Sequence, residues 1–281
     1  ESFTLPELDV GAVHRAFNER FGSPRIDGLA IFQNFYTDII FYAGAYSTVG
    51  NAGADGVGAG NTTDPESPAL LHTNTMRYGW NSCDAGKVTV LNHEFGHHWL
   101  YFYSIDEGGV IGKPCGDGHP AGWTHAPAAA PVYNAYDASC MGGSSWTDNA
   151  DGTFTSSPGF ASYGYSWHEL YLMGLASDAE VADWFYLRDS VPGLPGAYWP
   201  ADNTTVTATR VDVTYPQLLS AMGPRVPDVT ASRKDFTVPF VLVVRPGEWQ
   251  QGDVDEVRAT CETCRPKFHV AMLYRATLTC A

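Results

Sequence analysis

The stretch HEFGHHW, His93 to Trp99, decides how the rest of the chain is read. Two histidines stand four residues apart with a glutamate directly after the first. On an α-helix that spacing is just over one turn, so His93 and His97 project from one face. Their imidazoles can both reach one metal ion at about 2.0–2.1 Å. Glu94 lies about 100° round the same helix, within reach of a water at the metal without being a ligand itself. The spacing therefore predicts a zinc site with His93 and His97 as ligands and Glu94 as general base.

The residues around the motif support a helix there. Val88, Leu91, Phe95, Trp99 and Phe102 recur every three or four positions, the period of an amphipathic helix. The pattern predicts a helix that begins near Cys83-Asp84 and stops before Gly108-Gly109. His98 points away from the ligand pair and reads as a packing histidine.

Working outward, Val10, Val13, Phe17 and Phe21 recur at helical spacing and Gly22 follows as a stop. The stretches DGLAIFQNFY (27–36) and DIIFYAGAYSTV (38–49) are rich in β-branched and aromatic residues and read as strands. The Gly-rich run at 50–61 lacks the Lys-Ser/Thr of a phosphate loop and reads as a turn or strand edge. From about 112 to 160 the chain reads as loop. A second helix is predicted from Ser166 through Leu175. The alternation Phe236, Val238, Phe240, Leu242 predicts one buried strand. Val254, Val257, Cys261, Cys264 and Phe268 predict a C-terminal helix after an N-cap at Asp253, kinked or restarted by Pro266. No internal repeat is present.

Composition narrows the class. A chain of 281 residues, 44% hydrophobic and 17% charged, can bury a sizeable core and is not an extended disordered protein. The net charge of -15 disfavours nucleic acid and anionic membranes as partners. No apolar run is long enough to span a bilayer. Six cysteines, an even number, point to disulfides and an oxidising compartment. Cys261 and Cys264 form a CxxC without the second pair a zinc knuckle wants. The first residue is Glu1 rather than Met, which reads as a mature secreted form cut from a precursor with a propeptide. Sequons occur at Asn61 and Asn203.

With HEFGHHW in hand, the chain resembles the zincin metallopeptidases, whose signature is HExxH on an active-site helix. It is not a standard metzincin: Leu100 stands where that group has Gly, and Tyr103 where it has its third ligand. Met141 in SCMGG looks like a Met-turn. Against the thermolysin-like pattern, Glu169 meets the downstream Glu, but Met173 occupies the place of the following Asp. The series HEFGHHW, GWTH, SCMGGSSW, DNADGTF and YSWHELYLMGL also resembles secreted bacterial HExxH proteins of poorly defined activity. The resemblance implies an α+β, zincin-like fold: a twisted mixed sheet with the HExxH helix in an N-terminal lobe (1–109), and a loop-rich, partly helical C-terminal lobe (110–281). Together the lobes would form one catalytic domain with its cleft between them.

A catalytic zinc site needs a third protein ligand and an open position. Glu169, in an apolar helix, is the leading candidate. His168, Glu107, Asp106, Asp137 and His125 are the others. Tyr165, Tyr171, His168 and His125 are candidate oxyanion donors, with core packing the competing role for each tyrosine. The Asp148–Thr153 turn, DNADGT, carries enough oxygens for Ca2+ but lacks the EF-hand pattern; a plain Asx turn is the simpler reading. The expectation is a secreted zinc endopeptidase acting on a protein or peptide. The rival readings are a zincin-like binding or adhesion module without turnover, and a zinc hydrolase of non-peptide amides or esters.

Overall fold

The computed structural model describes residues 9–22, 26–35, 45–48, 69–72, 91–93, 95–96, 99, 104–112, 124–125, 139, 141–156, 164–192 and 203–280. The Gly-rich run at 50–61, the proposed helix start at Cys83-Asp84 and the sequon at Asn61 lie outside them.

Helix α1 covers Val10–Phe21. Asp9 caps it by accepting the N–H of Ala12, and Gly22 ends it in the left-handed region at φ 75°. A left-handed C-cap is where glycine is least strained, so both ends follow the sequence. Strand β1 covers Gly28–Gln33 and is buried at every position, as expected for a strand covered on both faces. Leu29 and Ile31 pack with Phe17 of α1. Ala30 and Phe32 turn to the main core. The sheet is completed by β2 (Ala45–Thr48), β3 (Ala69–His72) and β12 (Phe240–Val243), in the order β12-β1-β3-β2. β1 runs parallel to both β12 and β3, and β2 is antiparallel to β3. The sheet is thus mixed, and the fold is α+β.

The main core lies on the face of β1 opposite α1. Helical positions 91–93, 95, 96 and 99 make up α2. Phe95 is at its centre, with ring centroids 5.0 Å from Trp99, 5.3 Å from Phe236 and 5.5 Å from Phe268. All three contacts are edge-on, the favoured aromatic geometry, each adding about 0.5–1.5 kcal/mol beyond area burial. Phe236 and Phe268 come from the second half of the sequence, as does β12. A boundary at residue 109 therefore crosses one sheet and one core. Ser104 to Gly108 are not helical. Instead β4 (Ile105–Asp106) and β5 (Ile111–Gly112) form a hairpin, and Gly108 and Gly109 take positive φ in its turn.

The stretch read as loop contains strands. β6 (Thr124–His125), β7 (Trp146–Asp148) and β8 (Thr153–Ser156) join β9 (Trp184–Val191) and β10 (Thr205–Val213) in an antiparallel sheet ordered β6-β9-β10-β8-β7. DNADGT is the turn of the β7–β8 hairpin. Asp148 accepts the N–H of Ala150, and Asp151 accepts both the N–H and hydroxyl of Thr153. Asp148 also pairs with Arg210. These bonds form an Asx turn.

Helix α3 is Trp167–Leu172 after Ser166, and α4 is Tyr215–Met222. The predicted strand over Phe236–Leu242 is two strands. β11 (Asp235–Thr237) pairs in parallel with β13 (Thr277–Thr279), while β12 pairs with β1. Pro239 between them has no N–H to extend a ladder. Helix α5, Gln251–Ala271, starts after Gln250 rather than Asp253 and continues through Pro266. Asp253 instead accepts a hydrogen bond from Asn34 Nδ2 at 2.8 Å, tying α5 to the end of β1. A disulfide joins Cys261 on α5 to Cys280 after β13, and Cys264 is disulfide-bonded as well. Closing a loop of 19 residues contributes about 3 kcal/mol by the chain-entropy estimate. Among the described residues no helix is long and apolar enough to cross a membrane.

One ion pair gives the fold a testable acid response. Arg275, between α5 and β13, reaches Glu180 at 2.5 and 2.9 Å. Glu180 also accepts the N–H and hydroxyl of Ser177. The Arg275 hydrogen bonds, then the Ser177 N–H, hold its carboxyl down to about 2, below the ordinary 4.5. A carboxyl depressed in the folded state contributes stability above its unfolded value and loses it as pH falls toward the folded one. Glu180→Gln should therefore have a lower thermal midpoint than the parent at pH 7, and the gap should shrink between pH 4.5 and pH 2. Scans at both ends of that window test this; a gap independent of pH would show that the pair contributes nothing through its charge.

Candidate active site

The described positions of α2 divide by exposure. Leu91, Asn92, Phe95 and Trp99 are buried, whereas His93 is half-buried. At about 100° per residue, the buried side chains form one face and His93 falls on the other. Glu94, His97 and His98 lie outside the described residues. Among the described residues no three His, Cys, Asp or Glu side chains gather as a metal site would need.

The back of α2 is gripped by two side chains, Tyr165 and Met141. Tyr165 is fully buried, and its hydroxyl donates to the carbonyl of Asn92 at 2.5 Å. Gly96 packs so closely that a Cβ there would lie 2.4 Å from Met141 Sδ and 2.9 Å from Tyr165 Cε1. No real Cβ sits that near its neighbours, so this contact needs glycine. Met141, the residue of the Met-turn resemblance, therefore lies directly against the HExxH segment.

Behind these residues sits Glu169, also buried. Its Oε2 accepts the backbone N–H of Ser166 at 2.7 Å, in the capping box that starts α3. Its Oε1 accepts the hydroxyl of Ser139 at 2.8 Å, and Ser139 Oγ in turn accepts the N–H of Met141 at 3.0 Å. Burial pushes the Glu169 carboxyl up, against the opposing pull of Ser166 and Ser139. The contacts close a circuit: Gly96, Met141, Ser139, Glu169, Ser166, Tyr165 and back to Asn92. Gly96 lies within HEFGHHW and Ser139 opens SCMGG, but the roles of both depend on contacts distant in sequence.

The other sequence candidates are placed as follows. His168 is buried and stacked on Trp184 with centroids 4.3 Å apart, and its Nδ1 lies 3.0 Å from Ser166 Oγ. Burial holds it down to about 3, so the ring is neutral. Glu107 binds Tyr186 and Arg188. Asp106 accepts the Gly109 N–H and the Ser220 hydroxyl, tying the β4–β5 hairpin to α4. Tyr171 shares a hydrogen bond with Tyr215 at 3.2 Å and accepts the N–H of Arg225 at 2.9 Å. His125 is paired through its backbone opposite Phe185. Asp137 lies outside the described residues. Tyr165 and Tyr171 are thus packing tyrosines with satisfied hydroxyls.

Comparison of the chain with protein-family models, with curated proteins and with solved structures finds no match.

Proposed function

We propose that the chain is a secreted, zincin-like zinc endopeptidase. One observation carries the reading: the described residues of the motif, His93, Phe95 and Gly96, are helical, and the buried face formed by Leu91, Asn92, Phe95 and Trp99 leaves His93 on the opposite, half-buried side. The donors suit zinc, because two imidazoles at i and i+4 on an outward helix face can converge on one ion. His93 and His97 would hold it. Bound zinc supplies a Lewis acid and lowers the pKa of water to about 7. Glu94 would take the proton of the attacking water and pass it to the leaving amine.

The geometry favours a supporting role for Glu169, because Ser166 and Ser139 each occupy one of its oxygens. His168, Glu107, Asp106, His125 and Asp137 are the other sequence candidates for the third ligand. The disulfides agree with an oxidising, extracellular setting.

Metal analysis and casein digestion test the reading together. Purified protein should carry about one zinc per chain, and a chelator should abolish digestion, with zinc restoring it. Zinc without digestion of casein or small amide and ester substrates would favour the binding module. Hydrolysis of small substrates alone would favour the non-peptide hydrolase. Digestion that survives chelation in zinc-free protein would end the metallopeptidase reading.

A further inference from the structure

Tyr165 touches one helical turn at two points. Its hydroxyl holds the carbonyl of Asn92, the residue just before His93. Its ring edge lies against Gly96, the residue just before His97. In an α-helix the carbonyl at i accepts the N–H at i+4, so Asn92 and Gly96 bracket one turn, and His93 is the first residue inside it. A polar anchor at one end and a steric stop at the other fix both the rotation of that turn about its axis and its height against the core.

We infer that Tyr165 is a positioning residue for the metal-binding turn: its hydroxyl, through Asn92, sets the angle at which His93 leaves the helix. The inference rests on the zinc endopeptidase reading. Tyr165 touches neither metal nor substrate in this role. Glycine at 96 is part of the device, since a side chain there would push the ring away. The Ser139–Glu169–Ser166 contacts hold Tyr165 and Met141 in register from behind. Small displacements matter at such a site, because a misplacement of about 1 Å can cost on the order of 100-fold in rate.

The test uses Tyr165→Phe, which keeps the ring against Gly96 and removes only the hydroxyl. Tyr171→Phe is the control: it also deletes a buried hydroxyl, but one bonded to Tyr215 and Arg225 rather than to α2. Zinc content, kcat and KM on a peptide substrate, thermal midpoint, and the visible spectrum of the cobalt-substituted protein are measured for each. Both variants should lose about 2–4 °C in midpoint. Tyr165→Phe alone should keep its metal and its KM, lose about 10- to 100-fold in kcat, and shift the cobalt bands. Tyr171→Phe should keep the parent kcat and spectrum. A metal-bearing, active parent whose Tyr165→Phe variant matches it in kcat and cobalt spectrum overturns the inference and leaves the zinc reading standing. A parent that binds neither zinc nor cobalt overturns the zinc reading itself, and the inference with it.

Discussion

Glu94→Gln should abolish peptide hydrolysis while leaving zinc bound. The carboxylate and the carboxamide are nearly equal in size, so the helix and the packing of Phe95 behind it are undisturbed. What disappears is a proton acceptor. A positioned general base contributes about 10²–10⁴-fold, and here the same group must also return the proton to the leaving amine. The expected result is therefore a fall in kcat of at least about 100-fold, with zinc content and thermal midpoint equal to the parent's. The two readouts separate the roles within HEFGH. His93→Ala should lose zinc and activity together, because the ligands that remain fall short of the three a catalytic zinc site uses. Glu94→Gln should lose activity only. Substantial turnover in a zinc-loaded Gln variant would assign the proton transfer to another residue.

The parts of this fold legible in the sequence are those whose information is local. Helix α1 carries its cap, its apolar face and its stop within Asp9–Gly22. The apolar period of α5 likewise runs unbroken, with Val257, Cys264 and Phe268 buried as the spacing implies. The antiparallel sheet escaped because its strands do not alternate cleanly. In β9 the first four residues are all buried. Trp184 and Tyr186 face the main core, while Phe185 and Leu187 face a second cluster, so no polar–apolar period survives. In β10 the register shifts between Thr207 and Thr209, and a shifted strand interrupts its own pattern. Phe236 to Leu242 shows the opposite failure. The alternation is real, but Pro239 divides it between two sheets.

The site divides in the same way. HEFGHHW is a contiguous motif, so its chemistry can be read from spacing. The support behind it is built from contacts between distant residues: Tyr165 to Asn92 spans 73 positions, and Ser139 to Glu169 spans 30. Gly96 lies inside the motif and Ser139 opens SCMGG, but nothing local in the sequence says that Gly96 packs against Tyr165 or that Ser139 bonds Glu169. Glu169 illustrates the ambiguity. An acidic residue in an apolar helix suggests a metal ligand, because burying an unpaired carboxylate is costly. Ser139 and Ser166 offset that cost with hydrogen bonds, which is a second way to satisfy the same requirement.

Substitutions at Glu169 separate these two roles. Glu169→Ala removes both acceptors, leaving the Ser166 N–H and the Ser139 hydroxyl buried without their partner. Because Glu169 is buried, the substitution also opens a cavity beside Ser139 and Ser166. An unsatisfied buried group costs about 1–3 kcal/mol, and the cavity adds to it. The expected destabilisation is about 3–5 kcal/mol, a fall in thermal midpoint of at least about 6 °C. Both roles predict damage from Ala, so this variant alone does not choose between them. Glu169→Gln does. Glutamine serves the N3 position of a capping box as glutamate does: its amide oxygen can accept the Ser166 N–H, and its amide group can donate to Ser139, whose hydroxyl also accepts. If Glu169 is a support, the Gln variant keeps its zinc, most of its activity, and a midpoint within a few degrees of the parent. If Glu169 is a ligand, replacing a charged oxygen donor by a neutral amide should release zinc from a protein that still melts near the parent midpoint. The two engaged oxygens favour the first outcome. A stable Glu169→Gln protein without zinc would restore the carboxylate to the metal's coordination shell.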